Sequence, residues 1–98
     1  MKRGTTPTHT FTLPFDVSMV EKARVLYSQN DELKLSKTDC VLDGNTVTVR
    51  LTQEDTFKLE CGKFVDIQLR VLTPDGDALN SDIIRVSVER CLENEVLA

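Results

Sequence analysis

The 98-residue chain is 40% hydrophobic and 29% charged, a balance that fits one globular domain spanning 1–98 and excludes a disordered segment. Its net charge of −4 and its scattered basic residues, with no aromatic platform alternating with them, argue against nucleic-acid binding. No apolar run approaches the ~20 residues of a membrane span, and "MKRGTTPTHT" has Lys2 and Arg3 with no apolar stretch behind them, so no secretory signal is expected.

In chain order, "HTFTLPF" sets Phe11, Leu13 and Phe15 on one face and Thr10, Thr12 and Pro14 on the other. Pro14 lacks an N–H, so this strand lies at a sheet edge or ends there. "DVSMVEK" reads as one helical turn capped by Asp16. "KARVLYSQ" places Ala23, Val25 and Tyr27 together, with Leu26 opposite, and Gln29-Asn30-Asp31 predicts a hairpin into "ELKLS". Asp43-Gly44-Asn45 predicts another tight turn. "TVTVRLT" then sets Val47, Val49 and Leu51 inward, and Thr52 is a helix N-cap with Gln53, Glu54 and Asp55 in the first turn. "FVDIQLRVL" places Val65, Ile67, Leu69 and Val71 inward and Asp66, Gln68 and Arg70 toward water. Thr73-Pro74-Asp75-Gly76 predicts a type I turn closed by a positive φ at Gly76. "IIRVSVERC" sets Ile84, Val86 and Val88 inward. The first seven residues and "LENEVLA" read as loosely held ends.

About seven short strands at these spacings predict an all-β fold, an immunoglobulin-like antiparallel β-sandwich in the architectural sense; a small β-barrel is the alternative. "LTQEDTFKLEC" repeats the words of an antibody strand corner, with Cys61 six residues after Asp55. The rest of that family's signature is missing. Cys40 lies 21 residues before Cys61, there is no tryptophan, and Leu59 replaces the corner tyrosine. The corner is shared and the family is not. Three cysteines, Cys40, Cys61 and Cys91, are expected to be free thiols, with Cys40 and Cys91 as small strand hydrophobes.

No motif carries chemistry. His9, the single histidine, reads as a polar residue opening an edge strand rather than half of a nucleophile dyad. The cysteines lack the paired spacing of a zinc site. Asp75 and Asp77 flank Gly76 without the longer ligand series of a calcium loop. The four glycines are scattered, so no phosphate cradle is expected. Arg24, Arg50, Arg70 and Arg85 fall on polar strand faces and could meet a sugar or an acidic partner, though a solvated sheet face accounts for them. One tyrosine and four phenylalanines are few for a carbohydrate site. The expectation is a protein without enzymatic activity, cofactor or metal.

The order of segments is more specific than any one of them. "HTFTLPFD", "LTQEDT" and "IQLRVLTPDGDALNSDI", spread over Thr6 to Val96, resemble a family of small prophage-encoded proteins of Firmicutes, found among phage structural genes. The order is also similar to the N-terminal β-domain of phage upper baseplate proteins, which anchors a fibre or receptor-binding module to the tail. Ala98 closes this sequence with no fibre or coiled coil following, which points to a free-standing virion or assembly protein. The resemblance implies a tail- or baseplate-associated interaction module. Its partners would be other phage structural proteins or copies of itself, with no nucleic acid and no membrane. It would work in the bacterial host cytoplasm during assembly and in the virion tail. A binding module for host-surface carbohydrate or protein is the alternative. For docking, the strand carrying Thr10, Phe11, Thr12 and Phe15 is the expected surface, because an edge strand has unpaired N–H and C=O groups to offer.

Overall fold

The computed structural model describes residues 1–93 and 95–97. Two antiparallel sheets pack face to face as a sandwich, with no closure into a barrel. The smaller sheet contains β1 (Thr8–Thr12), β4 (Val41–Asp43) and β5 (Thr46–Arg50), in the order β1-β5-β4. The larger contains β2 (Lys22–Gln29), β3 (Glu32–Lys37), β6 (Phe64–Leu72), β7 (Ala78–Asn80) and β8 (Ile84–Ser87). Its order is β3-β2-β6, and β7 and β8 share the far side of β6. β8 pairs with Phe64–Ile67 and β7 with Arg70–Leu72.

Period-two patterning decides which faces meet. Val25, Tyr27, Val65, Ile67, Leu69 and Val71 of the larger sheet join Phe11, Val47, Val49 and Leu51 in one buried cluster. Each such side chain contributes about 1.5–3 kcal/mol when fully removed from water. Gln29 continues the inward row of β2 and is buried. Its Nε2 donates to Glu60 O at 2.8 Å, and its Oε1 accepts from Glu60 N–H at 2.7 Å. The amide thus replaces the ladder bonds that the chain beyond α1 (Gln53–Phe57) lacks.

The connections follow local chemistry. Asp16 accepts from Ser18 N–H at 2.8 Å and caps a 3₁₀ turn over Val17–Met19. Asn30 and Asp31 both take positive φ, 51° and 61°, which suits the two-residue hairpin between β2 and β3. Thr52 and Asp55 form a reciprocal capping box on α1. At the β6–β7 turn Gly76 has φ +89°, and its N–H donates to Thr73 O at 3.0 Å.

The described residues form eight strands, with β7 directly after the Gly76 turn, in keeping with the expected sandwich. Three expectations need correction. Ile84 is exposed, although it shares the inward face with Ile67. Cys40 and Cys91 are half-buried but lie outside the named strands. The first residues are tethered rather than loose. The Met1 amine donates to Ser87 O at 2.9 Å, and Lys2 bridges in parallel to Glu89. Arg3 donates from Nε to Leu59 O and from Nη2 to Phe57 O, each at 2.9 Å, filling carbonyls left open at the end of α1. The reading of "LENEVLA" as loose falls partly on Asn94 and Ala98, outside the described residues. Leu97 is held by the Gln53 side chain, with bonds of 2.7 and 3.0 Å.

Candidate functional site

β1 is an edge strand, and its parity can be read from the bonds that frame it. Leu51 N–H donates to Pro7 O at 2.9 Å, and Leu13 N–H donates to Asn45 O at 2.7 Å. The register against β5 has no shift between these points. In an antiparallel ladder bonded and non-bonded pairs alternate, so His9 and Phe11 also bond to β5. Thr8, Thr10 and Thr12 therefore direct their N–H and C=O groups away from β5, toward the open edge. The Thr10 Oγ1–Thr48 Oγ1 contact at 3.2 Å agrees, because side chains approach more closely at non-bonded pairs.

The same strand borders an apolar groove. Phe11, Leu13 and Phe15 form one wall, and Leu69, Val71, Leu79 and Ile84 form the floor and the other wall, enclosing about 530 Å³. The groove exists because the sheets differ in width. Leu79 pairs with Val71 and Ile84 with Ile67, so both belong to the inner face of the larger sheet. Val71 and Ile67 are 6% and 3% exposed, whereas Leu79 and Ile84 are 42% and 51% exposed. The three-stranded sheet ends at β1 and leaves Leu79 of β7 and Ile84 of β8 uncovered, while Val86, further along β8, still packs against the core. Asp82, in the link between β7 and β8, is the one acidic side chain lining the groove among the described residues.

The expected docking residues are thus brought together. Thr10 and Thr12 are exposed on the outer face, while Phe11 and Phe15 face the groove from the inner side. Sequence reasoning missed Leu79 and Ile84. The first lies in a three-residue strand without alternation, and the second has the pattern of a core residue. No protein-family model matches the chain, and a search of curated proteins returns no match.

His9, Tyr27, Cys40, Lys37 and Asp55 are engaged structurally. His9 Nδ1 lies 2.7 Å from the buried Tyr27 Oη. With the imidazole neutral and Nε2 protonated, the phenol donates to Nδ1. Burial, and then the positive N-terminal amine, lower the His9 pKa, while burial followed by Cys40 and Asp55 raises that of Tyr27. Neither change prepares a nucleophile. Burial also raises the Cys40 thiol, which leaves it a poor thiolate. Lys37 Nζ sits 2.8 Å from Asp55 Oδ2 and 3.4 Å from Asp39 Oδ1. Burial pushes the Asp55 carboxyl upward, but the bond from Lys37 and those from Thr52 outweigh it and hold the group below its ordinary value. This pair ties β3 to the cap of α1. Among the described residues, no cluster of three His, Cys, Asp or Glu side chains could hold a metal ion.

The arginines divide. Arg85 is paired with Asp66 at 2.8 Å, and Arg50 reaches Thr6 Oγ1 at 3.4 Å. Arg24 and Arg70 stand directly opposite one another across β2 and β6, and Arg70 donates to Asn80 Oδ1 at 2.9 Å.

Proposed function

We propose that this chain is a phage or prophage structural or assembly protein, a tail- or baseplate-associated module that acts by docking to other virion proteins. The resemblance of "HTFTLPFD", "LTQEDT" and "IQLRVLTPDGDALNSDI" to small prophage proteins supports the setting. One observation carries the mode of action: an edge strand with outward hydrogen-bonding groups borders an uncovered apolar flank. A sheet edge of this kind recognises another chain by main-chain bonds, and adjacent apolar surface selects which chain. The reading involves no turnover and no cofactor. Assembly would take place in the bacterial host cytoplasm, and the module would then sit in the tail.

Co-expression with the genes flanking its own, followed by affinity capture, tests this reading. A tail or baseplate protein should be retained. Replacing Thr10 and Thr12 with lysine should weaken retention while the fold persists, since both side chains are already exposed and a charged edge resists pairing. Retention of no virion protein would count against it.

A further inference from the structure

Resting on the docking reading, we propose that the flank between β1 and the β7–β8 edge accepts one extended arm of another polypeptide, with apolar residues at alternate positions and a basic residue beside Asp82. Three features define this occupant.

The first is hydrogen-bond direction. Thr8, Thr10 and Thr12 point their N–H and C=O groups to the open edge, so the added element must be a strand with the same repeat. Residues directly opposite in an antiparallel pair share a face. Those opposite Phe11 and its inward neighbours would therefore turn into the groove, onto Leu79 and Ile84. Those opposite Thr10 and Thr12 would turn to water. An alternating apolar and polar segment is what this geometry fits.

The second is the overhang. Strands in a sheet lie about 4.8 Å apart, so one further strand beside β1 would lie over the uncovered Leu79 and Ile84 on the inner faces of β7 and β8. Two copies of this chain joined β1 to β1 about a two-fold axis do not fit as well. Each copy carries its own overhang of β7 and β8, and both would enter the same space beneath the joined edges. A lone arm meets no such obstacle. The asymmetry of sheet width therefore favours a strand without a sandwich attached directly behind it.

The third is charge. Asp82 is the only charged residue type lining a groove whose other walls are apolar or, at Thr10, Thr12, Asn80 and Ser81, uncharged polar, and it makes no ion pair among the described residues. The other edge strand of the larger sheet, β3, carries Glu32, Lys34 and Lys37, which deter pairing, whereas β1 carries no acidic or lysine side chain. A lysine or arginine in the arriving arm would meet Asp82.

The test uses isotopically labelled full-length protein and a blocked nine-residue peptide with valine and threonine alternating and a lysine at each end. The control peptide has its two central valines replaced by aspartate. Binding of the first peptide alone should shift the methyl resonances of Leu79 and Ile84 and slow amide exchange at Thr10 and Thr12. Thr10→Pro removes an outward N–H, and Leu79→Lys places a charge on the groove wall. Each should weaken binding about tenfold or more at an unchanged melting temperature. No binding at millimolar peptide, or binding that leaves these four residues unmoved, would overturn the proposal. So would a concentration-dependent dimer in sedimentation that Leu79→Lys abolishes, since the flank would then belong to a second copy. The two readings fail separately. If the peptide binds but no virion protein is captured, the phage role falls and the groove stands. If a captured tail protein stays bound to the Leu79→Lys variant, the groove falls and the phage role stands.

Discussion

Leu79 and Val71 are Cα partners across β6 and β7 and lie on the same face of the sheet, yet Leu79 is 42% exposed and Val71 6%. The difference arises in the opposite sheet, which ends at β1. Leu79 and Ile84 therefore do little for the folded monomer, whereas Val86, further along β8, packs against the core. Leu79→Lys and Ile84→Asn should each change stability by less than about 0.5 kcal/mol, as for ordinary surface changes. Leu69→Ala, one residue row deeper in the same groove, should cost about 2–5 kcal/mol through the cavity it leaves. Urea midpoints of the three variants measure the contrast. Equal losses at Leu79 and Leu69 would show that the flank is part of the core.

Two glycines have positive φ for different reasons and should respond differently. At Gly76, φ +89°, a Cβ would meet nothing within 4 Å, so only the backbone conformation resists substitution. Gly76→Val should cost about 1–2 kcal/mol. At Gly4, φ +84°, a Cβ would lie 2.9 Å from Phe57 Cζ and 3.1 Å from Phe57 Cε1. Gly4→Ala adds that clash to the same backbone strain and should release the N-terminal tether. Thermal melts should show a loss at both sites, and slowed Arg3 and Gly4 amide exchange should disappear in the second variant alone.

The Lys37–Asp55 pair makes a pH prediction. Asp55 titrates below its ordinary value in the folded protein, so the unfolded chain binds its proton first on acidification. The pair's stabilisation is fully present above the unfolded carboxylate pKa of about 3.9 and is lost as pH falls through the depressed folded value. Asp55→Asn should cost about 2–4 kcal/mol at neutral pH, because it leaves Lys37 without its closest partner in a largely buried position. Denaturation at a series of pH values should show the variant and the parent converging below about pH 4.

All three thiols are free in the structure, with Cys61 exposed and Cys40 and Cys91 half-buried. A denatured, unreduced sample should titrate three thiols with a disulfide-exchange reagent. A count of one would mean an intramolecular bridge and a rearranged sandwich.

How much of this was legible in the sequence depends on how far each residue's fate is set by its neighbours in the chain. β2, β5 and β6 have one buried and one wet face, so alternation alone identified Val25, Tyr27, Val47, Val49, Val65 and Ile67 as core. The caps at Asp16 and Thr52 and the turn at Gly76 were equally readable, because each is a local hydrogen-bonding device. Ile84 was misread because its exposure is set by where the other sheet stops, which no window around residue 84 contains. Gln29 carries the parity of a core position but a polar side chain, and its partner Glu60 lies 31 residues away. The Arg3 tether to Phe57 and Leu59 was invisible for the same reason. For the candidate site, Pro14 marked β1 as an edge and the alternation around it placed Thr10 and Phe11, but the opposite wall needed the fold.

The most direct test of the central claim is amide hydrogen exchange on the complex captured by co-expression with the flanking genes. Thr10 and Thr12 point their N–H groups to solvent in the free chain and should exchange rapidly there. In the complex both should become protected, while the His9 and Phe11 amides, already bonded to β5, should change little. Protection confined to β3, β4 or the outer face of the larger sheet, with Thr10 and Thr12 still exchanging freely, would contradict docking at the β1 edge.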